Sequence, residues 1–163
     1  KQNIGSGNAA IFYNSKKSYS TSLKESFEKK YASIGKLTEC DLANSRIDNC
    51  QIDENIKLLM LSIDTGEAAT ASLIISRYTN QLLLGGDSLY NADNVSSTFG
   101  NQAENLVLSV PTHVQRTTDT FRNTSIKLWG TQYVGWRAAT AYDATQAIIA
   151  ALQKIEKNPR FFI

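Results

Sequence analysis

Three polar stretches, residues 14–22, 62–67 and 85–90, each directly follow an apolar run and carry most of the side chains able to meet a small molecule. Between them they offer Ser18, Tyr19, Asp64, Thr65 and Asp87. Hydroxyls, one aromatic ring and carboxylates suit a polar or cationic solute, because a carboxylate accepts charge-assisted hydrogen bonds from an ammonium group. Asp64 and Asp87 also invite a paired-carboxylate reading. Against it, Glu67 stands three positions after Asp64, the spacing of a helix cap, and Asp87 suits a turn.

Signatures of catalysis do not accompany these residues. The chain has no GxxxxGK[ST], no GxGxxG after its first strand, no GxSxG and no HExxH. His113 lacks a Ser or Cys nucleophile context and reads as a surface or hinge histidine. Cys40 and Cys50, with one His in the chain, fall short of a four-ligand zinc pattern. A disulfide closing a small loop and two unrelated buried thiols both remain open for them. No catalytic residue, metal or cofactor is expected.

The elements that must position these loops alternate. Residues 9–13 are a strand-type run, and Leu23, Phe27, Tyr31 and Ile34 then recur on one helical face. Ser22 and Glu25 have capping-box spacing at that helix's start, and Gly35 stands where a C-terminal glycine belongs. A brief strand at 36–40, a short helix around 46–51 and a buried strand at 56–63 follow. A helix running to about Tyr78 and a strand at 81–84, broken by Gly85-Gly86, come next. The stretch 91–104 is loop-like with one short helix, and 106–110 is a strand that Pro111 ends. Two helical patterns close the chain, around 118–129 and 134–155, the second with Val134, Ala138, Ala141, Ile148, Leu152 and Ile155 along a face. Trp129 and Trp136 read as packing residues, as does Tyr142, with Asp143 seeking a polar partner. This alternation predicts an α/β fold: an open, mostly parallel sheet with helices on both faces, in three layers α/β/α. Ligands of such sheets bind beyond the carboxyl ends of the strands, where the three polar stretches lie.

Composition narrows the partners. Seventeen Lys and Arg against fifteen Asp and Glu leave a net charge of +2, with no basic stripe, which argues against a nucleic-acid footprint. No apolar run approaches bilayer-spanning length, and the polar, Gly-rich residues 1–7 are not a signal peptide. Asn94-Val95-Ser96 and Asn123-Thr124-Ser125 match glycosylation acceptors, a motif short enough to arise by chance.

Three stretches resemble the second half of a type I periplasmic binding protein, the branched-chain amino acid or ANF-receptor-like class that serves ABC transporters. Ala9-Ala10-Ile11-Phe12-Tyr13 through Ser20 resembles the strand, turn, Tyr and helix start that open lobe two. Leu82-Leu83-Leu84-Gly85-Gly86-Asp87-Ser88 is similar to its strand and Gly-containing acidic turn, and residues 136–144 resemble its A-x-x-Y-D-A helix. The resemblance implies that Tyr19 packs on the ligand and that Asp87 holds its ammonium group. Ile63 departs from the aromatic that members binding aliphatic amino acids often carry there, leaving Asp64 or Thr65 as contacts.

It also implies an organisation. Residues 1–113 would be ligand-binding lobe two, with hinge crossings near both ends. Residues 114–163 would be a helical segment that in the family packs on the other lobe. Here that segment would repack on this lobe or meet another chain, giving self-association. The implied role is non-catalytic capture of an amino acid or similar solute in the periplasm or outside the cell, delivered to an ABC transporter permease by the full-length protein. The alternative within the same fold is the extracellular sensor domain of a membrane receptor or receptor kinase. An α/β enzyme is a third reading, weakened by the missing nucleophile motif.

Overall fold

Five short segments, all but one of them apolar, assemble into one parallel sheet in the computed structural model, which describes residues 7–90, 99–111, 118–132 and 134–157. They are Ala9–Tyr13 (β1), Leu37–Asp41 (β2), Leu58–Ser62 (β3), Leu82–Gly85 (β4) and Leu106–Leu108 (β5). The spatial order is β2-β1-β3-β4-β5, and every neighbouring pair is parallel. Parallel neighbours cannot be joined by a tight turn, so each link is a crossover. Helix Ser18–Tyr31 (α1) joins β1 to β2, and Ala68–Arg77 (α2) joins β3 to β4. The first link steps one way across the sheet and the second steps the other. Right-handed crossovers in opposite directions place α1 and α2 on opposite faces. The expected α/β architecture is what forms.

Side-chain alternation along the strands agrees. Ala9 and Leu58 pack with Tyr31, Phe27, Leu82 and Leu84 on the α1 side. Ala10, Phe12, Leu59, Leu61 and Leu83 pack with Ala71, Ile74 and Ile75 on the α2 side. Every residue of β3 is buried. A strand covered on both faces reads as a continuous apolar run, which is why its boundaries were legible from sequence.

Other boundaries moved. The first helix begins at Ser18, so Ser22 lies inside it, where its carbonyl accepts from the Ser26 hydroxyl. The expected capping box of Ser22 and Glu25 therefore does not exist. The helix also ends at Tyr31, leaving Ile34 outside it and 47% exposed, contrary to its expected place on the apolar face. Gly35 works by close approach: a Cβ there would stand 2.0 Å from the Gly7 carbonyl oxygen. Gly85 does not break the fourth strand but completes it, pairing with Leu61 and Leu108.

The link from β2 to β3 crosses the α2 side as an irregular segment with a short 3₁₀ helix, Ile47–Asn49, near the predicted position. Its Leu42, Ile47, Cys50 and Ile52 are half-buried against the α2-side core. Cys50 forms a disulfide with Cys40 of β2, their Cα atoms 5.6 Å apart, which resolves the alternatives left by sequence. Asp41, next to Cys40, accepts from the backbone N–H groups of Ser15 and Ala43, both at 3.0 Å, and from Asn44. Burial pushes its carboxyl upward, but those donors outweigh it and hold the group below its ordinary value.

The chain divides into two compact units, Lys1–Ser109 and Val110–Ile163. The expected boundary at 113/114 lies outside the described residues, as do His113 and Asn94. The second unit holds Asp119–Trp129 (α3) and Trp136–Lys157 (α4). Thr118 caps α3 by accepting from the Phe121 N–H, and Gly130 ends it in the left-handed region at φ 70°. Phe121 meets Tyr142 edge to face, with ring centroids 5.2 Å apart. The apolar stripe expected on α4 is mostly exposed within this chain. Ala139 is buried, while Ala141, Ile148 and Leu152 are exposed. Trp129 is 54% exposed, against the expectation that it packs, and Asp143 is exposed.

Two predictions follow from the anchored crossover. Replacing both cysteines by Ala should lower stability by roughly 2–3 kcal/mol in urea denaturation, the loop-entropy value for a bridge of this span. For Asp41, a depressed folded pKa contributes stability above the unfolded carboxylate pKa and loses it as pH falls through the folded one. Asp41→Asn should therefore be less stable than the parent at neutral pH, with the difference shrinking in a denaturation series as pH falls through the depressed folded pKa of Asp41.

Candidate functional site

The sheet order reverses between β1 and β3, and the loops leaving their carboxyl ends part there, which opens a crevice in sheets of this kind. In this chain the protein's own polar groups lace that point shut. The buried Ser20 hydroxyl donates to the Ser62 carbonyl, and the Ser62 hydroxyl donates back to the Ser20 carbonyl at 2.6 Å. Ser20 Oγ also accepts from the Asn14 N–H at 2.7 Å. The Asn14 amide donates to Glu67 Oε1 at 2.6 Å. Glu67 Oε2 in turn accepts from the Asp64 N–H at 3.3 Å, completing a capping box whose other half is the Asp64 side chain. Asp64 thus spends its carboxylate on the chain, accepting from the Thr65 N–H at 2.6 Å.

A second cluster forms one strand further along, from residues distant in sequence. The Tyr19 hydroxyl donates to Asp87 Oδ1 at 2.8 Å and accepts from the Ser88 N–H at 3.4 Å. The Thr65 hydroxyl donates to the Ser88 carbonyl at 3.0 Å. Loops after β1, β3 and β4 are thereby joined at the carboxyl edge. Burial pushes the Tyr19 phenol above its ordinary value, and the bond to Asp87 adds to this while the bonds from Ser88 oppose it. The phenol therefore stays protonated at neutral pH and serves as a donor to the carboxylate.

Gly86 makes the contact possible. A Cβ at that position would lie 2.2 Å from the Tyr19 hydroxyl oxygen and 2.9 Å from a methyl of Leu23. The bare backbone lets the ring of Tyr19 lie against the turn and reach Asp87.

Of the five candidates, Tyr19, Asp87 and Thr65 come together; Asp64 is engaged in its cap. Ser18 is exposed, and the contact seen is its carbonyl accepting from Thr21 Oγ1. The paired-carboxylate arrangement is not what these loops build, since Asp64 and Asp87 each bond a different partner. Ser20, Ser62, Gly86 and Ser88 lie within the three polar stretches, but sequence does not single them out as site residues. The one local signal was the glycine pair after a strand; the serines gave none, because Ser20 and Ser62 partner each other across 42 positions and Ser88 meets Tyr19 and Thr65 across 69 and 23.

Chemically, the cluster pairs a half-buried carboxylate with a protonated phenol and a ring edge, an acceptor surface for a cation or for hydroxyl donors. No nucleophile–base pair stands within it. Among the described residues, no group of three His, Cys, Asp or Glu side chains could hold a metal, and no helix is long and apolar enough to cross a membrane. Comparison with protein-family models, with curated proteins and with solved structures gives no match.

The lacing at the switch point should be structural. Ser20→Ala strips the Asn14 N–H and the Ser62 carbonyl of a buried partner, so it should cost about 1–3 kcal/mol in chemical denaturation. A change within experimental error would show that those groups find other partners.

Proposed function

We propose that this chain is the second lobe of an extracytoplasmic solute-binding protein of the type I periplasmic class, and that it captures an amino acid or similar small cationic-polar solute without catalysis. The observation that carries this reading is the Tyr19–Asp87 contact, with Thr65 tied to the same turn through Ser88. In this reading Asp87 accepts from the ligand's ammonium group while the Tyr19 hydroxyl holds the carboxylate in place, and the Tyr19 ring forms one wall. Groups that neutralise the ligand's own carboxylate would come from the first lobe, and closure of two lobes would be the signal that an ABC transporter permease reads. The Cys40–Cys50 disulfide is in keeping with an exported protein, since such bonds persist in oxidising compartments.

Calorimetric titration of the two-lobed protein with a panel of amino acids provides the test. Asp87→Asn should weaken binding by about tenfold to a hundredfold, the worth of a charge-assisted hydrogen bond. Tyr19→Ala should weaken it through loss of both the ring wall and the bond that orients Asp87. Unchanged affinity in both variants would overturn the assignment of the site. Heat of turnover rather than of binding would overturn the non-catalytic reading.

A further inference from the structure

A groove of about 390 Å³ lies between the disulfide-anchored crossover and the last turns of α2, lined by Arg46, Ile47, Asp48, Leu73, Ser76 and Arg77. It stands apart from the loop cluster: Arg77 ends α2 and leads into the start of β4, at the opposite edge of the sheet from Tyr19 and Asp87. Three charged side chains line it, Arg46, Arg77 and Asp48, so its net charge is positive. Asp48 engages one nitrogen of Arg77, at 2.9 Å. The remaining N–H groups of that guanidinium keep their donor capacity. Among the described residues, the Arg46 guanidinium makes no hydrogen bond or ion pair.

Position at the end of a helix weighs against an anion, because the last carbonyls carry partial negative charge. Here that effect is blunted. The Leu73 carbonyl accepts from the Ser76 hydroxyl at 3.0 Å, and the Ile74 carbonyl accepts from the Tyr78 N–H at 3.0 Å. Two guanidiniums from separate elements outweigh what remains, since Arg forks match carboxylate and phosphate oxygens two at a time. The apolar part of the groove is also unusual. Leu73 is 61% exposed on a helix whose Ala71, Ile74 and Ile75 are buried, and Ile47 adds a second aliphatic wall. The volume lies within the range of small-ligand clefts. Arg46, Ile47 and Asp48 all fall inside the loop closed by Cys40 and Cys50, so one wall is covalently held in place.

We propose that this groove is a second binding site, for a small organic oxyanion that carries a short aliphatic chain. The oxyanion head meets Arg46 and Arg77, and the chain lies on Leu73 and Ile47. Carboxylates and phosphate monoesters share that chemistry, and the test separates them.

Amide chemical shifts of the complete chain, followed by NMR during titration with butyrate and with butyl phosphate, should move saturably at Arg46, Asp48, Leu73 and Ser76. The tighter of the two probes assigns the head group. Inorganic phosphate and butanol, each lacking one half of the ligand, should bind at least about tenfold more weakly. Arg46→Gln should weaken the preferred probe by about tenfold or more, and Leu73→Ser should abolish its advantage over the chainless anion; both residues are exposed, so the fold should survive either change. Absence of saturable shifts with both probes would overturn the proposal, as would equal affinity for inorganic phosphate or indifference to Arg46→Gln. Because the amides of Tyr19 and Asp87 report separately, failure of one site leaves the other testable.

Discussion

The parallel pairing of β1 with β3 is the constraint on which the rest of the first unit depends. Ala9 through Tyr13 align with Leu58 through Ser62 residue for residue, and both strands are buried on both faces apart from the half-buried Tyr13. With that register set, β2 must add on one side and β4 on the other, and right-handed connections send α1 and α2 to opposite faces. The Ser20–Ser62 exchange then fixes α1 to β3 by two buried hydrogen bonds. Such bonds contribute modestly when made, but each orphaned partner would cost the full desolvation of a buried polar group. Serines suit the position because they are small enough to be enclosed and can donate and accept at once.

That lacing also occupies the switch point of the sheet. A crevice at a topological switch point is the usual binding place in an open parallel sheet. Here Asn14, Ser20, Ser62, Glu67 and Asp64 bond one another and their own loops. The proposed site is instead the neighbouring turn after β4, where Tyr19 reaches over Gly86 to Asp87. The two clusters share α1: Ser20 points inward to the lacing, and its neighbour Tyr19 reaches Asp87. One helix thus places one residue in the lacing and the next in the Tyr19–Asp87 cluster.

The β2–β3 crossover is the other organising device. It has little regular structure, yet it covers the α2 side of the core with Leu42, Ile47 and Ile52 and is held by the disulfide and by the Arg77–Asp48 ion pair. The ion pair is exposed on both partners and contributes little to stability. The covalent link therefore bears the ordering, and it is what gives the groove beside α2 a defined wall. In the second unit, α3 is locally well specified, with a Thr cap at one end and a left-handed glycine at the other. The pairing of Phe121 with Tyr142 gives that unit its own contact between helices.

By itself, the sequence determined what is local. Continuous apolar runs marked β1, β3 and β4; β1 and β3 are buried on both faces and need no alternation, while Leu82 and Leu84 of β4 are half-buried. The Asp64–Glu67 spacing announced a cap that does form, and the alternation of strands and helices dictated a parallel α/β sheet. The near-neutral composition argued against a nucleic-acid footprint. Tertiary structure decided everything that rests on partners far apart in the chain. Tyr19 and Asp87 are 68 positions apart, and nothing in either neighbourhood says that a hydroxyl will meet that carboxylate. Ser22 offered a good local cap, yet the helix starts earlier because Ser20 gains two buried partners from within it. The apolar stripe of α4 is legible in the sequence, but burial depends on what lies opposite, and within this chain Ala139 rather than Ile148 is enclosed. The cysteine pair stayed ambiguous for the same reason: ten residues of separation permit a bridge, and only the fold brings the two Cα atoms to 5.6 Å.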